Sequence, residues 1–319
     1  MKKNLQKVLV LALGLTTTIA SAQWSANSTT WIDNTNSDDR SGTTRTTISA
    51  DMSGVHVSGD HQWNTDGTTS QSVYEAYVST DLMGYGTLTM GRQDLSFGSG
   101  ALIGSNNWGN SRHTSDGANF AASFSGFDIS AGTMGGINTS TNYINAAGSF
   151  SGVSINVLMI DNEDVKSSGY DLGYALMGGD LSLSFSMNDD GLGSEMTEMG
   201  ASYNVFENMS IHASQRTYEG DVDGQSFSAP NSAWDLVGSG DFGHGNNGDE
   251  ILSYGLSYDL GSIALSYNMH TTSHEGQDDA EATDMRVSYE LNDNCTLGYR
   301  MLSLGDDNDY NTITISIGL

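Results

Sequence analysis

Much of the chain divides into segments of about ten residues in which apolar side chains alternate with small or polar ones. In the segment 262–270, for example, Ile263, Leu265, Tyr267 and Met269 alternate with Ser, Ala, Asn and His. A period of two is typical of β-strands whose two faces meet different surroundings. One proline and 39 glycines among 319 residues also fit strands joined by tight turns better than helices.

The connections between these segments alternate between tight turns and longer polar loops. Ser-Gly pairs at 53–54, 125–126 and 151–152 predict tight turns, whereas 34–42, 135–141 and 161–168 are polar and longer. This alternation is typical of an up-and-down transmembrane barrel, which closes on itself because the bilayer cannot satisfy an open edge. The sequence therefore predicts an all-β antiparallel barrel of about 18 strands, with 16 as the alternative and both termini in the periplasm.

The two faces of each strand predict what the barrel separates. The apolar face is expected to contact lipid, and the small or polar face is expected to line a lumen. A barrel of 16 or 18 strands is wide enough to leave a water-filled pore. A secreted, calcium-binding, β-rich adhesin is the alternative from another class, but we find no repeat of constant period that would support a solenoid.

Residues 1–22 have the features of a secretory signal peptide. Lys2, Lys3 and Lys7 precede an apolar stretch, and Ala20-Ser21-Ala22 is a small-residue cleavage site. Cleavage would leave residues 23–319 as a single barrel domain and, by removing three lysines, change the formal charge from −28 to −31. Such an acidic chain is unsuited to nucleic acid. The lone Cys295 excludes a disulfide within the chain.

One stretch carries a family resemblance. Residues 83–100 read MGYGTLTMGRQDLSFGSG, a tight turn and a short strand that lead into a loop rich in Gly, Ser and Asn. This arrangement resembles the fifth strand and third loop of Gram-negative porins, and the Gly-Arg-Gln-Asp-Leu-Ser-Phe-Gly run is similar to alginate-export-type outer-membrane channels. Farther along the chain, residues 218–249 are a long insertion between strands, predicted to be an extracellular loop. The porin resemblance implies that residues 93–114 fold into the lumen as a constriction loop. It leaves a monomer and a homotrimer both open.

The candidate pore-lining residues are charged side chains on the polar phase of the strands or in the constriction loop. They are Arg45, Glu75, Arg92, Asp94, Arg112, Asp116, Arg216, Arg286, Glu290 and Arg300. Arg92 conflicts with this rule, because it shares the phase of Leu88 and Met90, which is the lipid phase. Either a β-bulge shifts the register there, or Arg92 bends over the rim.

No motif of a catalytic or nucleotide-binding site is present, so we expect no enzyme and no cofactor. His212 and His270 are interpreted as lumen histidines. Acidic clusters in the loops are weaker candidates for Ca²⁺ ligands, and none has the spacing of a full calcium-binding loop. These candidates are Asp221, Asp223, Asp306, Asp307 and Asp309.

The sequence thus predicts an outer-membrane porin of a Gram-negative bacterium, a passive diffusion channel for ions and small hydrophilic solutes. Its surroundings would be outer-membrane lipid and lipopolysaccharide. Because carboxylates outnumber arginines on the lumen phase, we expect modest cation selectivity. An acidic-polysaccharide export channel of the alginate type is the alternative. Against it, this chain is short and acidic, whereas the exporters are typically longer, with a basic lumen.

Overall fold

The computed structural model describes residues 23–35, 40–105, 112–135, 141–230, 244–304 and 309–318. Over these residues the chain forms a closed antiparallel barrel of 18 strands. The predicted fold and strand number are therefore confirmed. The strands are β1 (Gln23–Asp33), β2 (Ser41–Met52), β3 (Val55–Asn64), β4 (Thr69–Asp81), β5 (Thr87–Gln93), β6 (Ser115–Phe124), β7 (Phe127–Met134), β8 (Thr141–Phe150), β9 (Val153–Asn162), β10 (Val165–Leu176), β11 (Leu181–Asp189), β12 (Ser194–Phe206), β13 (Met209–Gly220), β14 (Asp249–Asp259), β15 (Ile263–His274), β16 (Ala280–Asn292), β17 (Cys295–Ser303) and β18 (Asp309–Gly318).

The first strand closes the barrel. On one side Thr29 is paired with Arg45 of β2, and on the other side with Ser316 of β18. The Thr29 and Ser316 hydroxyls are 3.2 Å apart, within hydrogen-bond distance, so side chains as well as the backbone join the two ends of the chain. No strand edge is left unpaired along this seam, as a bilayer requires.

Tight turns occupy one end of the barrel, which we call the turn end, and longer connections occupy the other, the loop end. At the turn Ser53-Gly54 both residues have positive φ, 33° and 85°. Two consecutive left-handed residues form the type I′ turn, whose twist matches that of the strands it joins. Several loop-end connections are shorter than predicted. The largest difference is between β9 and β10, which leave only residues 163–164 between them, and β13 extends to Gly220, beyond the predicted start of the next loop at residue 218.

The alternation of side chains separates two surfaces. Outward-facing Ile48, Leu183 and Met199 are 52, 41 and 59 % exposed. Inward-facing Arg45 and Asp60 are only 3 and 6 % exposed, although both are charged. This is the reverse of a soluble protein, since the exposed surface is apolar and buried charges point inward. The described part of the chain contains no helix with the length and apolar character needed to cross a membrane.

The barrel has an apolar core inside its lumen. The connection between β5 and β6 turns inward, where Leu102 and Ile103 are 1 and 0 % exposed. They belong to one cluster with inward-facing residues of the wall and with Phe227 from the connection after β13. The wall residues of this cluster are Met134, Tyr143, Leu158, Ile160, Met196, Tyr218 and Ile251. This cluster, which we call the packed side, fills one side of the lumen.

Candidate functional site

The connection between β5 and β6, which we call the inward loop, is held against the packed side at its tip by hydrogen bonds to one carboxylate. Asp171 on β10 accepts hydrogen bonds from the Ser99 backbone N–H (3.1 Å), the Asn156 side-chain amide (3.0 Å) and the Ser186 hydroxyl (2.6 Å). Three donors on one carboxylate satisfy much of its hydrogen-bonding capacity. Together with the apolar packing of Leu102 and Ile103, this places the segment 95–105 across the lumen.

The root of the loop is held on the opposite flank by a second network. Asp94 accepts hydrogen bonds from the Tyr74 hydroxyl and from Ser105 Oγ (2.7 Å). The Arg112 guanidinium lies 3.9 Å from the centre of the Tyr74 ring and 3.5 Å from the Asp60 carboxylate. Tyr74 reaches this network because a β-bulge in β4 turns its side chain inward. The loop is thus clamped to both flanks of the barrel.

Glu75 also belongs to this root network. Its carboxylate accepts a hydrogen bond from the Asp94 backbone N–H at 3.2 Å and lies 3.6 Å from His56 Nε2. Glu75, Asp94 and Arg112, all predicted from the sequence as constriction residues, therefore lie together. Two carboxylates accompany one guanidinium, so this flank has no excess of positive charge despite its arginine.

A cavity of about 1620 Å³ remains open on the other side of the lumen, which we call the open side. Its lining extends from Asp33 and Tyr310, near the loop end, to Asn204 and Asn208, near the turn end. It therefore follows the wall over its full height. Most of the other lining residues lie on β1, β2 and β14–β18 and are small or hydroxyl-bearing, with arginines among them.

Two of these arginines share one carboxylate. Asp284 is completely buried and accepts hydrogen bonds from Arg286 Nη2 at 2.6 Å and Arg300 Nε at 2.9 Å. The two arginines are directly opposite each other on β16 and β17. Two guanidinium groups on one carboxylate leave a local excess of one positive charge. The Arg286 side chain is 43 % exposed within the lumen, so part of that charge faces the cavity.

Arg45 and Arg216 are the other two strand arginines that face inward. Arg45 lines the cavity, with its guanidinium 5.1 Å from the centre of the Trp31 ring. Arg216 is paired with Glu198 at 3.1 Å, and the side chains of that pair are 14 and 22 % exposed. Glu290 is exposed and faces inward near the turn end, by the same alternation that places Asp284 and Arg286 in the lumen.

The structure corrects two predicted pore-lining residues. Arg92 and Asp116 face outward, because β5 has no bulge at Arg92 and its register with β4 and β6 continues unbroken. Arg92 Nε and Nη2 donate to the Asp116 carboxylate at 2.9 and 2.8 Å, and Nη1 donates to the Val73 carbonyl at 3.2 Å. Arg92 is tolerated on the outer face because the bulge in β4 and the carboxylate of β6 satisfy its donors.

The candidate calcium ligands do not form a site in the described part of the chain. Asp223 lies 3.5 Å from His274 Nε2 and Asp309 is the first residue of β18. Asp221 lies in the connection after β13, and Asp306 and Asp307 lie outside the described residues. Among the residues that are described, no group of three or more His, Cys, Asp or Glu side chains could hold a metal ion.

The inward-facing apolar residues of the packed side were missed by the sequence analysis. Leu158, Met196 and Ile251 are at most 5 % exposed, yet they occupy the lumen phase, which the pattern assigns to polar side chains. The sequence does contain a feature that predicts them, namely continuous apolar runs in which the alternation is lost. One such run is Val157-Leu158-Met159-Ile160. Such a run indicates a strand that is apolar on both faces.

Comparison with known families supports the sequence resemblance. The model of a family described as alginate export matches residues 22–144, which include the stretch 83–100 and cover less than half of the chain. The resemblance to this group of outer-membrane barrels is therefore confirmed over that region. A search of curated protein sequences gives no match to the chain.

Solved structures share the whole fold at low sequence identity. OccK2 (OpdF) of Pseudomonas aeruginosa in complex with glucuronate is 14 % identical, with a TM-score of 0.76 and coverage of 95 % of this chain and 97 % of that one. OpdK of the same organism with vanillate is 13 % identical, with a TM-score of 0.73 and coverage of 94 and 99 %. A BenF-like porin from Pseudomonas fluorescens Pf-5 is 13 % identical, with a TM-score of 0.73 and coverage of 95 and 99 %. At these identities the similarity establishes the barrel fold.

Proposed function

We propose that this protein is an outer-membrane porin of a Gram-negative bacterium, through which small hydrophilic solutes diffuse passively. The observation that carries this proposal is the cavity of about 1620 Å³, which follows the open side of the lumen from one end of the barrel to the other. Its polar, hydroxyl-rich lining suits hydrated solutes. Three features support a location in the outer membrane. They are the apolar outer surface, the signal peptide expected in residues 1–22 and the porin fold.

The division into turns and loops supports an orientation. Short turns are periplasmic and long loops are extracellular in barrels of this kind. The turn end, with Gly54, Gly126, the start of β1 and the end of β18, then faces the periplasm, and the loop end faces the outside. Outer-membrane lipid and lipopolysaccharide would surround the barrel.

The charges of the lumen support modest cation selectivity for small ions. Arg112 lies among Asp60, Glu75 and Asp94, and Arg216 is paired with Glu198, so these arginines are balanced or outnumbered by acids. Asp33 and Asp259 add negative charge near the two ends of the cavity. The exception is Asp284, which serves two arginines. We therefore propose a channel that is weakly cation-selective overall but has one local site for anions.

That local site suits solutes with a carboxylate, because a guanidinium binds a carboxylate through two parallel hydrogen bonds. Two structurally similar barrels were solved with glucuronate and with vanillate, both of which carry a carboxylate. We infer that small organic acids are among the solutes of this channel, and that Arg286 and Arg300 are their contacts at mid-height in the lumen.

An export channel for an acidic polysaccharide is the second candidate, favoured by the alginate-export match over residues 22–144. Among the described residues, the lumen has fewer unpaired cationic side chains than binding of an anionic polymer requires. A long polyanion needs an extended row of unbalanced cations, whereas Arg112 and Arg216 are each paired with an acid.

Liposome swelling with purified protein tests the proposal. We expect uptake of glucose and of small organic acids at rates that fall steeply with solute size, because the inward loop and its packing leave only part of the lumen open. Empty liposomes provide the baseline. Swelling that does not exceed this baseline for any small solute would contradict the diffusion-channel proposal. Uptake of oligouronates in preference to monomers would favour the export channel.

A further inference from the structure

The β-bulge in β4 turns two consecutive side chains toward the lumen, which a regular strand cannot do. Gly59 of β3 is paired with Val73, although the preceding residue of β3 is paired with Glu75, so Tyr74 is the extra residue. In a regular strand Gly59 would be paired with Tyr74, and the Tyr74 side chain would point outward. Instead, Tyr74 is 9 % exposed and lies inside the barrel next to Glu75.

These two side chains hold Asp94, the first residue after β5. The Tyr74 hydroxyl donates to the Asp94 carboxylate, and the Glu75 carboxylate accepts a hydrogen bond from the Asp94 backbone N–H at 3.2 Å. The Arg112 guanidinium also lies against the Tyr74 ring, 3.9 Å from its centre. The bulge therefore fixes the start of the inward loop by two contacts and positions one of the lumen arginines.

A bulge interrupts the hydrogen-bonded ladder, so its backbone groups need other partners. The Glu75 backbone N–H donates to Ser58 Oγ at 3.1 Å. On the side toward β5 the ladder ends at the pair of Ala76 with Arg92, and the Val73 carbonyl lies beyond that pair. This carbonyl accepts a hydrogen bond from Arg92 Nη1 at 3.2 Å. Because hydrocarbon offers no hydrogen bonds, Arg92 supplies a donor to the bulge that lipid cannot supply.

Arg92 is itself oriented by Asp116, its direct partner on β6. Two parallel hydrogen bonds, 2.9 and 2.8 Å long, join Arg92 Nε and Nη2 to the Asp116 carboxylate, and this geometry directs Nη1 at the bulge. A second outward pair, Lys166 with Asp161, provides a comparison. The two side chains are 3.7 Å apart and lie on strands whose register is unbroken, so Lys166 supports no bulge.

We propose that Arg92 is a positioning residue for the channel. From the outer face of the barrel it holds the bulge in β4, and the bulge places Tyr74 and Glu75 against the inward loop. Without Arg92, β4 slips by one residue, Tyr74 turns outward and Arg112 loses its aromatic contact. This inference rests on the proposed function, to which it adds a residue that controls the pore without touching a solute.

The direction of one introduced thiol reports the register of β4. In a Cys295→Ser background, which lacks the thiol of the chain, Val73→Cys keeps the backbone carbonyl and puts a thiol on the outer face. We expect this thiol to react slowly with a water-soluble maleimide in lipid vesicles. Adding Arg92→Met should turn the thiol into the lumen and raise the labelling rate about tenfold, the effect of losing one charge-assisted hydrogen bond.

Lys166→Met is the matched control, because it also removes an outward cation that is paired with an aspartate. It should leave the labelling rate unchanged, and equal rates in Arg92→Met and Lys166→Met would overturn the proposal. Heat-modifiable gel mobility verifies that the variants form barrels. If Arg92→Met does not, Arg92→Lys replaces it. Lysine keeps the charge but cannot bind the carboxylate and the carbonyl together, so an unchanged labelling rate there would also overturn the proposal.

Single-channel recordings in planar bilayers connect the bulge with the pore. Arg92→Met should make brief interruptions of the current about tenfold more frequent than in Lys166→Met, because the start of the inward loop is released. Tyr74→Phe removes only the hydroxyl that holds Asp94. It should also increase the interruptions, while the thiol of Val73→Cys stays protected. Interruptions equally frequent in Arg92→Met and Lys166→Met would overturn the role of Arg92 in the pore.

The labelling experiment needs no conductance, so this inference and the proposed function can fail separately. A wild type without conductance would contradict the porin, and a labelling rate raised by Arg92→Met would still support the role of Arg92 in the bulge. A conducting wild type in which Arg92→Met changes neither the labelling rate nor the current would contradict only the inference.

Discussion

The two sides of the lumen differ in composition although the same rule of alternation builds both. On the packed side the inward residues include Leu158, Met196 and Ile251, which are buried beneath the loop. On the open side the inward residues are mainly hydroxyl-bearing or arginine, and they contact the cavity. The direction of a side chain is set by its position along the strand, whereas the medium that it meets is set by the loop. An inward residue can therefore be apolar where the loop covers it.

A substitution that weakens the packing of the inward loop should have the largest effect on the difference between the two sides of the lumen. Leu102→Ala takes away a fully buried side chain at the centre of the packed side, at an expected cost of about 2–5 kcal/mol to the free energy that holds the loop. Single-channel conductance should rise and become noisier, because the loop would leave its position. Leu256→Ala, on the outer face, is the control and should leave the conductance unchanged. Equal conductance in wild type and Leu102→Ala would mean that the loop does not limit the pore.

The distinction between the inner and outer faces is tested on the open side. Leu265 faces outward and Ser266 inward on β15. At mid-membrane, Leu265→Arg should lower the free energy of unfolding in lipid vesicles by about 2–4 kcal/mol, because it exposes a charge to hydrocarbon. Ser266→Arg should be nearly neutral, since the lumen is wet. Similar losses for both variants in urea titrations would contradict the assigned register.

The buried carboxylate under the arginine pair should have a smaller effect. Asp284→Asn removes a charged acceptor shared by Arg286 and Arg300, at an expected cost of about 1–3 kcal/mol in the free energy of unfolding. Anion permeability should also rise, because one negative charge is lost near the cavity. Glu290→Gln removes an exposed inward carboxylate of the same strand and is the control. A stability loss as large in Glu290→Gln would show that the burial of Asp284 is unimportant.

Substitutions that neutralise lumen charges should have the smallest effect, a shift in the selectivity between cations and anions. In a KCl gradient, the double variant Arg216→Gln and Arg300→Gln should shift the reversal potential toward stronger cation selectivity. Glu75→Gln with Asp94→Asn should shift it the other way. Both shifts should be larger at low salt, because the screening length grows from about 8 Å at physiological ionic strength to about 30 Å at 0.01 M. Clear anion selectivity of the wild type would show that the arginines govern the lumen, and would favour the polyanion exporter.

The barrel could be predicted because its strands and turns are determined by residues that are close together in the sequence. The alternation at Leu265 and Ser266 and the turn at Ser53-Gly54 are each determined by neighbouring residues and by the bilayer. The even strand number predicted from the sequence requires a first strand that closes the barrel, and β1 (Gln23–Asp33) is that strand.

The lumen was less predictable because its contents depend on contacts between distant residues. The inward position of Leu158 makes sense only once Leu102 is placed above it. The outward orientation of Arg92 could not be predicted, because it depends on two distant partners. One is the Val73 carbonyl beside the bulge in β4, and the other is the Asp116 carboxylate on β6. In the same way, the alternation places Arg286 and Arg300 in the lumen but cannot show that a single carboxylate serves both.

A continuous open path runs along one side of the lumen, and the inward loop fills the other side. Single-channel conductance in planar bilayers should therefore differ between the wild type and a variant that lacks residues 96–104 of the inward loop. We predict a steady, ohmic conductance for the wild type and a clearly larger one for the shortened loop. Absence of conductance in the wild type under all conditions, or equal conductance in the two proteins, would show that no such path exists or that the loop does not fill the lumen.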